Sequence, residues 1–264
     1  MLTYDTLIEE AESRGMPAGK MRGILREYLQ VMILKEIYRL APGRKLFFTG
    51  GTYLRLAHQT RRFSEDLDFN AGDMNVPEFE DLLRKTSSSL VKENLDVKLE
   101  FGHWGNILVA DLIFPDVENK YGIISPNSKR GGISIKVESN RPGWKIKTET
   151  LVVSGFGQMY PVICTEKGAL FADKIDALVK KNRARHLYDI IFMLTKKYPV
   201  DTAVLKVLGI EEPPFDVILK RINSFSAQDL KKQADTLRPF LFEESEAELI
   251  INAPGIVKQL IDKY

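Results

Sequence analysis

Cysteine and histidine are scarce in this chain of 264 residues, which contains one cysteine and three histidines. The single cysteine, Cys164, excludes an internal disulfide and fits a reducing compartment such as the cytoplasm. The histidines His58, His103 and His186 lie far apart in the sequence. None has a second histidine or a cysteine at the spacing of zinc ligands, so a zinc site is not expected.

Long hydrophobic runs are also missing. Apolar stretches such as residues 31–34 are far too short to span a bilayer, so no membrane segment is expected. The N-terminal residues lack a basic stretch followed by an apolar one, so we expect no signal peptide. Hydrophobic residues make up 44% of the chain and charged residues 28%, which is typical of a folded globular protein.

Charge is nearly balanced, with a formal net charge of +2, but it is unevenly distributed. Residues 180–186 are strongly basic, and residues 243–248 are acidic. A looser basic region contains Lys129, Arg130, Lys136, Arg141, Lys145 and Lys147. A solvated protein face is the simplest interpretation of each of these regions.

The spacing of apolar residues changes along the chain. It predicts helices over residues 5–13, 18–40, 52–58 and 77–91. It predicts strands over residues 45–48, 67–69, 97–101, 107–114 and 133–138. Beyond Cys164 the spacing is helical as far as the C-terminus. We therefore predict an α+β N-terminal domain of residues 1–163 and a helical C-terminal domain of residues 164–264.

Two glycines separate the first predicted strand from the helix after it. Gly50 and Gly51 follow residues 45–48, and Thr52 opens the helix. Glycine permits a positive φ and a close approach of the backbone to a ligand, and the N–H groups of a helix N-terminus attract anions. The turn is consistent with a phosphate cradle, although an ordinary turn capped by Thr52 is the commoner explanation of such a motif alone.

Two aspartates, Asp66 and Asp68, belong to the next predicted strand. Residues two apart on a strand share a face, so the two carboxylates would point together. They would repel each other unless a cation lay between them, and Mg²⁺ prefers oxygen ligands of this kind. Aspartate is depleted in strands. The pair and the upstream glycine turn together favour a metal and phosphate site over an exposed strand edge.

Lys174 belongs to the apolar face of a predicted helix. Viewed down the helix axis, it falls between Leu170 and Phe171 by angle. A lysine in this position usually extends its ammonium to the surface, but it can also hold a phosphate in a cleft. On the next helix, which is apolar nearly all round, Asp189 follows Arg185 by one helical turn. That pair is either an exposed ion pair or part of a cleft.

Two groups of residues resemble the signatures of the AbiEii/AbiGii toxin family, which belongs to the polymerase-β-like nucleotidyltransferases. The first group comprises Gly50, Gly51, Thr52, Leu54 and Arg55 together with residues 62–69. The second comprises residues 166–178 and residues 183–189. Family members often have an aspartate where this chain has His186, which puts in doubt any role of that position.

The resemblance implies a polymerase-β-like core, with a mixed sheet flanked by helices, followed by a helical domain. It implies a nucleotide site formed by Gly50, Gly51, Thr52, Arg55, Ser64 and Lys174. It implies catalytic roles for Asp66, Asp68, Lys174 and Asp189. It also implies a third metal-binding carboxylate on a neighbouring strand.

Two acids compete for the place of the third carboxylate. Glu138 ends the alternating strand of residues 133–138. Asp111 lies in a very apolar run, where an unpaired carboxylate would be costly to bury. We choose Glu138, with Asp111 as its rival. The predicted ligands of two Mg²⁺ ions are then Asp66, Asp68 and Glu138.

The expected reaction is transfer of a nucleoside monophosphate from a nucleoside triphosphate to an acceptor hydroxyl, with release of pyrophosphate. The resemblance implies a toxin of a type IV toxin–antitoxin or phage-defence pair. It further implies a cognate antitoxin and an RNA acceptor, such as the end of a tRNA. The residues leave open a small-molecule acceptor, a protein acceptor, and a non-catalytic binding module on the same scaffold. They do not identify the preferred base.

Overall fold

A computed structural model describes residues 1–123 and 132–264 of the chain. Lys129 and Arg130, which belong to the looser basic region, lie outside the described residues. The chain divides into two compact units. Unit 1 comprises Met1–Pro142 and Thr148–Cys164. Unit 2 comprises Gly143–Lys147 and Thr165–Tyr264.

Unit 1 combines helices with one sheet. Its helices are α1 (Tyr4–Ser13), α2 (Met21–Arg39), α3 (Gly50–His58), α4 (Val76–Lys92) and the short α5 (Val117–Lys120). The first five strands are β1 (Leu46–Thr49), β2 (Leu67–Ala71), β3 (Lys98–Phe101), β4 (Ile107–Phe114) and β5 (Ile133–Asn140). The last two are β6 (Thr148–Gly155) and β7 (Gln158–Thr165).

The seven strands form a mixed sheet in the order β3-β4-β5-β2-β1-β7-β6. Strand β2 lies near its centre, antiparallel to β1 and parallel to β5. Strand β1 also pairs in parallel with β7, and β4 is antiparallel to both β3 and β5. This mixed sheet with its helices confirms the predicted α+β class.

Helix α2 supplies much of the core of unit 1. Its fully buried residues include Ile24, Leu25, Leu29, Ile33 and Leu34. The helix ends at Arg39, and the chain turns through a 3₁₀ segment, Ala41–Lys45, into β1. A Cβ atom at Gly43 would overlap the carbonyl oxygen of Ile37, so this tight return of the chain onto the end of the helix requires glycine.

Strands β6 and β7 are the main elements that the apolar spacing did not identify. They form a hairpin whose turn contains Phe156 and Gly157, both with positive φ. Most side chains of β6 are partly or fully exposed, and only Val153 is buried. An edge strand with so few buried residues lacks the regular alternation on which prediction depends.

Unit 2 is helical. Its helices are α6 (Lys167–Lys180), α7 (Ala184–Thr195), α8 (Thr202–Val207), α9 (Pro214–Asn223), α10 (Ala227–Leu237), α11 (Glu248–Ile251) and α12 (Ala253–Ile261). Helix α7 is its most buried helix, as the apolar sequence predicts. In residues 1–123 and 132–264, no helix combines the length and the apolarity needed to cross a bilayer.

Candidate active site

The turn between β1 and α3 packs directly against Asp68. Gly50 has a φ of +80°, a conformation that favours glycine, and a Cβ atom there would overlap the Asp68 carboxylate. A Cβ atom at Gly51 would lie 2.7 Å from Nη2 of Arg62 and 2.8 Å from Oγ of Ser64. The absence of side chains at Gly50 and Gly51 therefore allows the backbone of the turn to approach the acidic segment, residues 62–68.

Thr52 joins the turn to the acidic segment. Its hydroxyl donates a hydrogen bond to the main-chain carbonyl of Asp66, and its side chain is fully buried. Strands β1 and β2 add a second connection, because Thr49 lies opposite Asp68 in their antiparallel pairing. The described hydrogen bond of Thr52, a predicted nucleotide ligand, is thus to the protein itself.

The sheet register brings a third acid beside Asp68. Asp66 immediately precedes β2, and Asp68 is the second residue of that strand. In the parallel pairing of β2 with β5, Asp68 lies directly opposite Glu138. Asp111 is one strand further away, in β4, where it lies opposite Lys136. Position in the sheet therefore favours Glu138 over Asp111 as the acid associated with Asp68.

Lys136 is the cation of this group. Its ammonium lies 2.7 Å from Oε2 of Glu138, and both side chains are about two-thirds buried or more. Burial acts to lower the pKa of Lys136, but the hydrogen bond to Glu138 and the charges of Asp66, Glu138 and Asp68 together raise that pKa above its ordinary value. We call these four residues the carboxylate cluster. Sequence analysis did not identify Lys136 as a site residue, although it shares a strand face with Glu138.

The cluster suits a divalent cation by its chemistry, because hard cations prefer carboxylate oxygens. Within the described residues, however, no three histidine, cysteine, aspartate or glutamate side chains converge on a common metal position. Glu138 is paired with Lys136 instead. The three predicted ligands are thus neighbours in the sheet but are not assembled around one point.

Arg55 lies elsewhere in unit 1. Its side chain is 3% exposed, its Nε donates to Oε2 of Glu27 at 2.8 Å, and its Nη1 donates to the carbonyl of Thr60 at 2.9 Å. Glu27 is 1% exposed, so Arg55 and Glu27 form an ion pair with both side chains buried, between α2 and α3. A buried charge needs such a partner, and the described contacts of Arg55 are accordingly internal.

Lys174 and Asp189 meet in unit 2. Nζ of Lys174 lies 2.8 Å from Oδ2 of Asp189, and their side chains are 8% and 0% exposed. We call these two residues the buried pair. The structure thus connects α6 to α7 through two residues that the sequence singled out separately. The ammonium of Lys174 does not extend to the surface, and Asp189 contacts it directly.

His186 lies one helical turn before Asp189 and is 7% exposed. Neither ring nitrogen has a hydrogen-bond partner among the described residues. Burial, then the charge of Lys174, lower the pKa of His186 to about 3, against the opposing effect of Asp189. The imidazole is therefore neutral beside the buried pair at physiological pH. The sequence showed only that a histidine replaces an aspartate here.

Solved structures share the fold of the whole chain. MenT4, a nucleotidyltransferase toxin from Mycobacterium tuberculosis H37Rv, superposes with a TM-score of 0.58 at 16% identity, covering 99% of this chain and 90% of MenT4. JHP933 from Helicobacter pylori superposes with a TM-score of 0.55 at 15% identity, covering 94% of each chain. At such low identities these similarities concern the fold alone.

Sequence comparison identifies the family. No curated protein sequence matches the chain. A family model described as the nucleotidyl transferase AbiEii toxin of type IV toxin–antitoxin systems matches residues 33–247. This range includes the glycine turn, the carboxylate cluster and the buried pair, and it covers most of the chain. The protein therefore belongs to the AbiEii family of toxin–antitoxin nucleotidyltransferases, as its two motifs predicted.

Proposed function

We propose that this nucleotidyltransferase moves a nucleoside monophosphate from a nucleoside triphosphate to a hydroxyl at the end of an RNA, with tRNA as the expected acceptor. Membership of a type IV toxin–antitoxin family implies a nucleoside triphosphate substrate and an antitoxin partner. The observation that carries the proposal is the contact between the glycine turn and Asp68, where a Cβ at Gly50 would overlap the carboxylate. The glycine turn, which would hold the phosphates, thus lies against the strand whose aspartate would hold a metal.

The turn at Gly50 and Gly51 would bind the triphosphate. It places main-chain N–H groups at the N-terminus of α3, where anions are favoured. Ser64, whose Oγ lies against Gly51, is the side-chain hydroxyl best placed to contribute. The guanidinium of Arg55 bonds Glu27 and the Thr60 carbonyl, so Arg55 would support α3 instead of contacting the nucleotide, and Thr52 would join α3 to Asp66.

Asp66 and Asp68 would hold the divalent ions, with Glu138 as the third acid. Nucleotidyltransferases of this family generally use divalent metals. Two bound Mg²⁺ ions would neutralise phosphate charge and stabilise the attacking and leaving oxygens. Glu138 bonds Lys136, so Lys136 and a metal would share the same carboxylate. The ammonium of Lys136 would offset part of the mutual repulsion of the acids.

Lys174 would neutralise the charge that develops on the phosphates during transfer. Asp189 would orient the ammonium of Lys174, as their 2.8 Å contact supports, or take a proton from the acceptor hydroxyl. Because Lys174 is buried and held by a single carboxylate, its charge is pre-positioned at little cost in side-chain entropy.

An RNA acceptor is favoured by the basic run of residues 180–186. Lys180, Lys181 and Arg183 in this run are exposed, so they are available to contact a phosphate backbone. A small-molecule acceptor has no run of phosphates for such a surface to contact. A non-catalytic binding module would have no need for Asp66 and Asp68 with Glu138 opposite Asp68 in the sheet.

Incubation with each labelled nucleoside triphosphate, Mg²⁺ and total RNA tests the proposal. We expect label to enter RNA with one preferred triphosphate, and to stay out of RNA with the Asp68→Asn variant. Label in protein or in a small molecule, with none in RNA, would show that the acceptor is that molecule and not RNA. No transfer to any acceptor by the folded wild-type protein with any triphosphate would overturn the proposal.

A further inference from the structure

A cavity of about 260 Å³ lies at one end of the sheet in unit 1. This volume corresponds to roughly nine water molecules at liquid density, which is enough for a planar heteroaromatic ring. Met74 and Leu108 supply buried apolar surface, whereas Asn75, Asn106 and Arg141 are exposed polar residues of its lining. A cavity with apolar residues at its bottom and a few polar groups is typical of a small-ligand site.

Ser139 lines the same cavity with a polar group that lacks a partner. The residue is 1% exposed, and its hydroxyl makes no hydrogen bond within the described part of the chain. The sheet register places Ser139 between Leu108 and Phe69, on the face opposite Glu138. Leaving a buried hydroxyl unsatisfied costs stability, so a ligand group that bonds to it would recover that cost.

The turn between β3 and β4 carries an exposed aromatic residue adjacent in sequence to the cavity lining. Trp104 precedes Gly105 and Asn106, which both line the cavity, and it is 54% exposed. The turn is held by hydrogen bonds between the main chains of Trp104 and Ile107 and by the bond from Val109 N–H to Nδ1 of His103. An exposed tryptophan on an ordered turn is a typical platform for an unstacked base.

Arg141 adds a positive charge to the lining. It follows β5, is exposed, and has no described hydrogen bond or ion pair in residues 1–123 and 132–264. A guanidinium binds phosphate through paired donors and also stacks on aromatic rings. The combination of tryptophan, arginine, side-chain amides and apolar residues at the bottom of the cavity matches a nucleotide better than a peptide.

We propose that this cavity binds an unpaired nucleotide of the RNA acceptor, a proposal that rests on the function given above. The base lies against Met74, Leu108 and Trp104, Ser139 and Asn106 bond to its edge, and Arg141 contacts a phosphate. Arg141 follows Glu138 by three residues, and Ala71, also in the lining, follows Asp68 by three. At about 3.3 Å per strand residue this is roughly 10 Å along the strands, and because Ser139 lies on the face opposite Glu138, the RNA would pass around the strand ends to reach both places.

Tryptophan fluorescence tests the proposal without any transfer reaction. The chain has two tryptophans, so Trp144→Phe leaves Trp104 as the only one. We expect a short single-stranded oligoribonucleotide to quench Trp104 saturably, and the matching duplex to quench it much less. Trp104→Ala should weaken the affinity for the single strand by about 5- to 150-fold, measured by anisotropy of labelled RNA. Tyr4→Ala, at an exposed aromatic outside the cavity, should leave the affinity unchanged.

Ser139→Ala separates binding from structure. It removes an unpartnered hydroxyl, so the free energy of unfolding should stay equal or rise while the affinity for single-stranded RNA falls. AMP is the second probe: we expect AMP to quench Trp104 more weakly than the oligonucleotide does, and equal quenching by AMP would assign the cavity to a free nucleotide and overturn its assignment to the RNA acceptor.

Unchanged RNA affinity in both Trp104→Ala and Ser139→Ala would overturn the proposal. So would a loss confined to binding of the antitoxin, which would make the cavity a protein docking site. The Asp66→Asn variant, which we expect to be inactive in transfer, serves as the reference in which RNA binding is measured without the reaction. RNA binding that is retained while wild-type transfer fails would contradict the proposed function but not this pocket.

Discussion

Each unit of this protein contains a lysine that meets carboxylates, but the two sites differ in charge balance and exposure. In the carboxylate cluster, one lysine faces Asp66, Asp68 and Glu138, and the Lys136 and Glu138 side chains are 33% and 27% exposed. In the buried pair, one lysine meets one aspartate, and the side chains are 8% and 0% exposed.

The difference in charge balance and exposure predicts which of the two sites can exchange its ionic partners. An excess of negative charge near solvent attracts a further cation, and losing one acid relieves repulsion. A balanced buried pair attracts a further cation less strongly, and losing one member leaves a buried charge without compensation. We therefore expect mutations of the first site to affect activity and mutations of the second to affect stability as well.

The largest expected effect is on transfer by Asp66→Asn or Asp68→Asn. Loss of a metal-binding carboxylate should lower the transfer rate on the order of a thousandfold, because metal ions contribute several kcal/mol to stabilising the transition state. The free energy of urea unfolding should stay equal or rise slightly. Near-normal transfer at saturating Mg²⁺ in either variant would remove that aspartate from the metal site.

Breaking the buried pair should have the largest effect on stability. Asp189→Asn leaves Lys174 charged and buried, so we expect the free energy of unfolding to fall by about 3–5 kcal/mol. The double variant Lys174→Met/Asp189→Asn should recover most of this loss. The exposed pair of Lys220 and Glu212 is the matched control, and Glu212→Gln should cost less than about 1 kcal/mol. Equal costs of Asp189→Asn and Glu212→Gln would show that burial does not distinguish the pairs.

A glycine comparison tests the contact between the turn and the carboxylate cluster. Gly50 and Gly209 have nearly the same φ, +80° and +85°, but a Cβ at Gly50 would overlap Asp68 whereas one at Gly209 meets nothing within 4 Å. Both alanine variants should lose about 1 kcal/mol of stability from the backbone. Only Gly50→Ala should also lower transfer, by roughly a hundredfold, because it displaces Asp68. Similar transfer rates in the two variants would contradict this assignment.

The smallest expected effect concerns His186 beside the buried pair. Its pKa in the folded protein, about 3, lies below the ordinary value of 6.5, so the unfolded chain binds the proton more readily. This contribution to stability is present above pH 6.5 and is lost as the pH falls from there towards 3. Between pH 7 and pH 5.5 we expect the loss to be about 1 kcal/mol. Urea unfolding at both pH values should show a smaller loss in His186→Gln, and an identical loss would place the titration elsewhere.

Much of the fold followed from local patterns. Helices α1, α2 and α4 and strand β4 have strong periodicity and were predicted within a few residues, because each buries one face or both. Strand β6 was missed because it buries only Val153, and β7 because its buried residues are confined to its C-terminal half. The third acid remained ambiguous because an alternating strand identifies a face but not the strand beside it.

The sequence by itself determined the family of this protein and predicted its site. Two glycines before a helix and the aspartates at 66 and 68 predict phosphate and metal binding through residue type and short-range spacing, and the family match supports nucleotidyl transfer. Only the tertiary structure decided which partners those residues meet. Arg55 turns to the buried Glu27, Glu138 lies opposite Asp68 but bonds Lys136, and Lys174 pairs with Asp189. The physical reason is that burial and charge pairing depend on residues brought together by the sheet register and helix packing, which no local spacing contains.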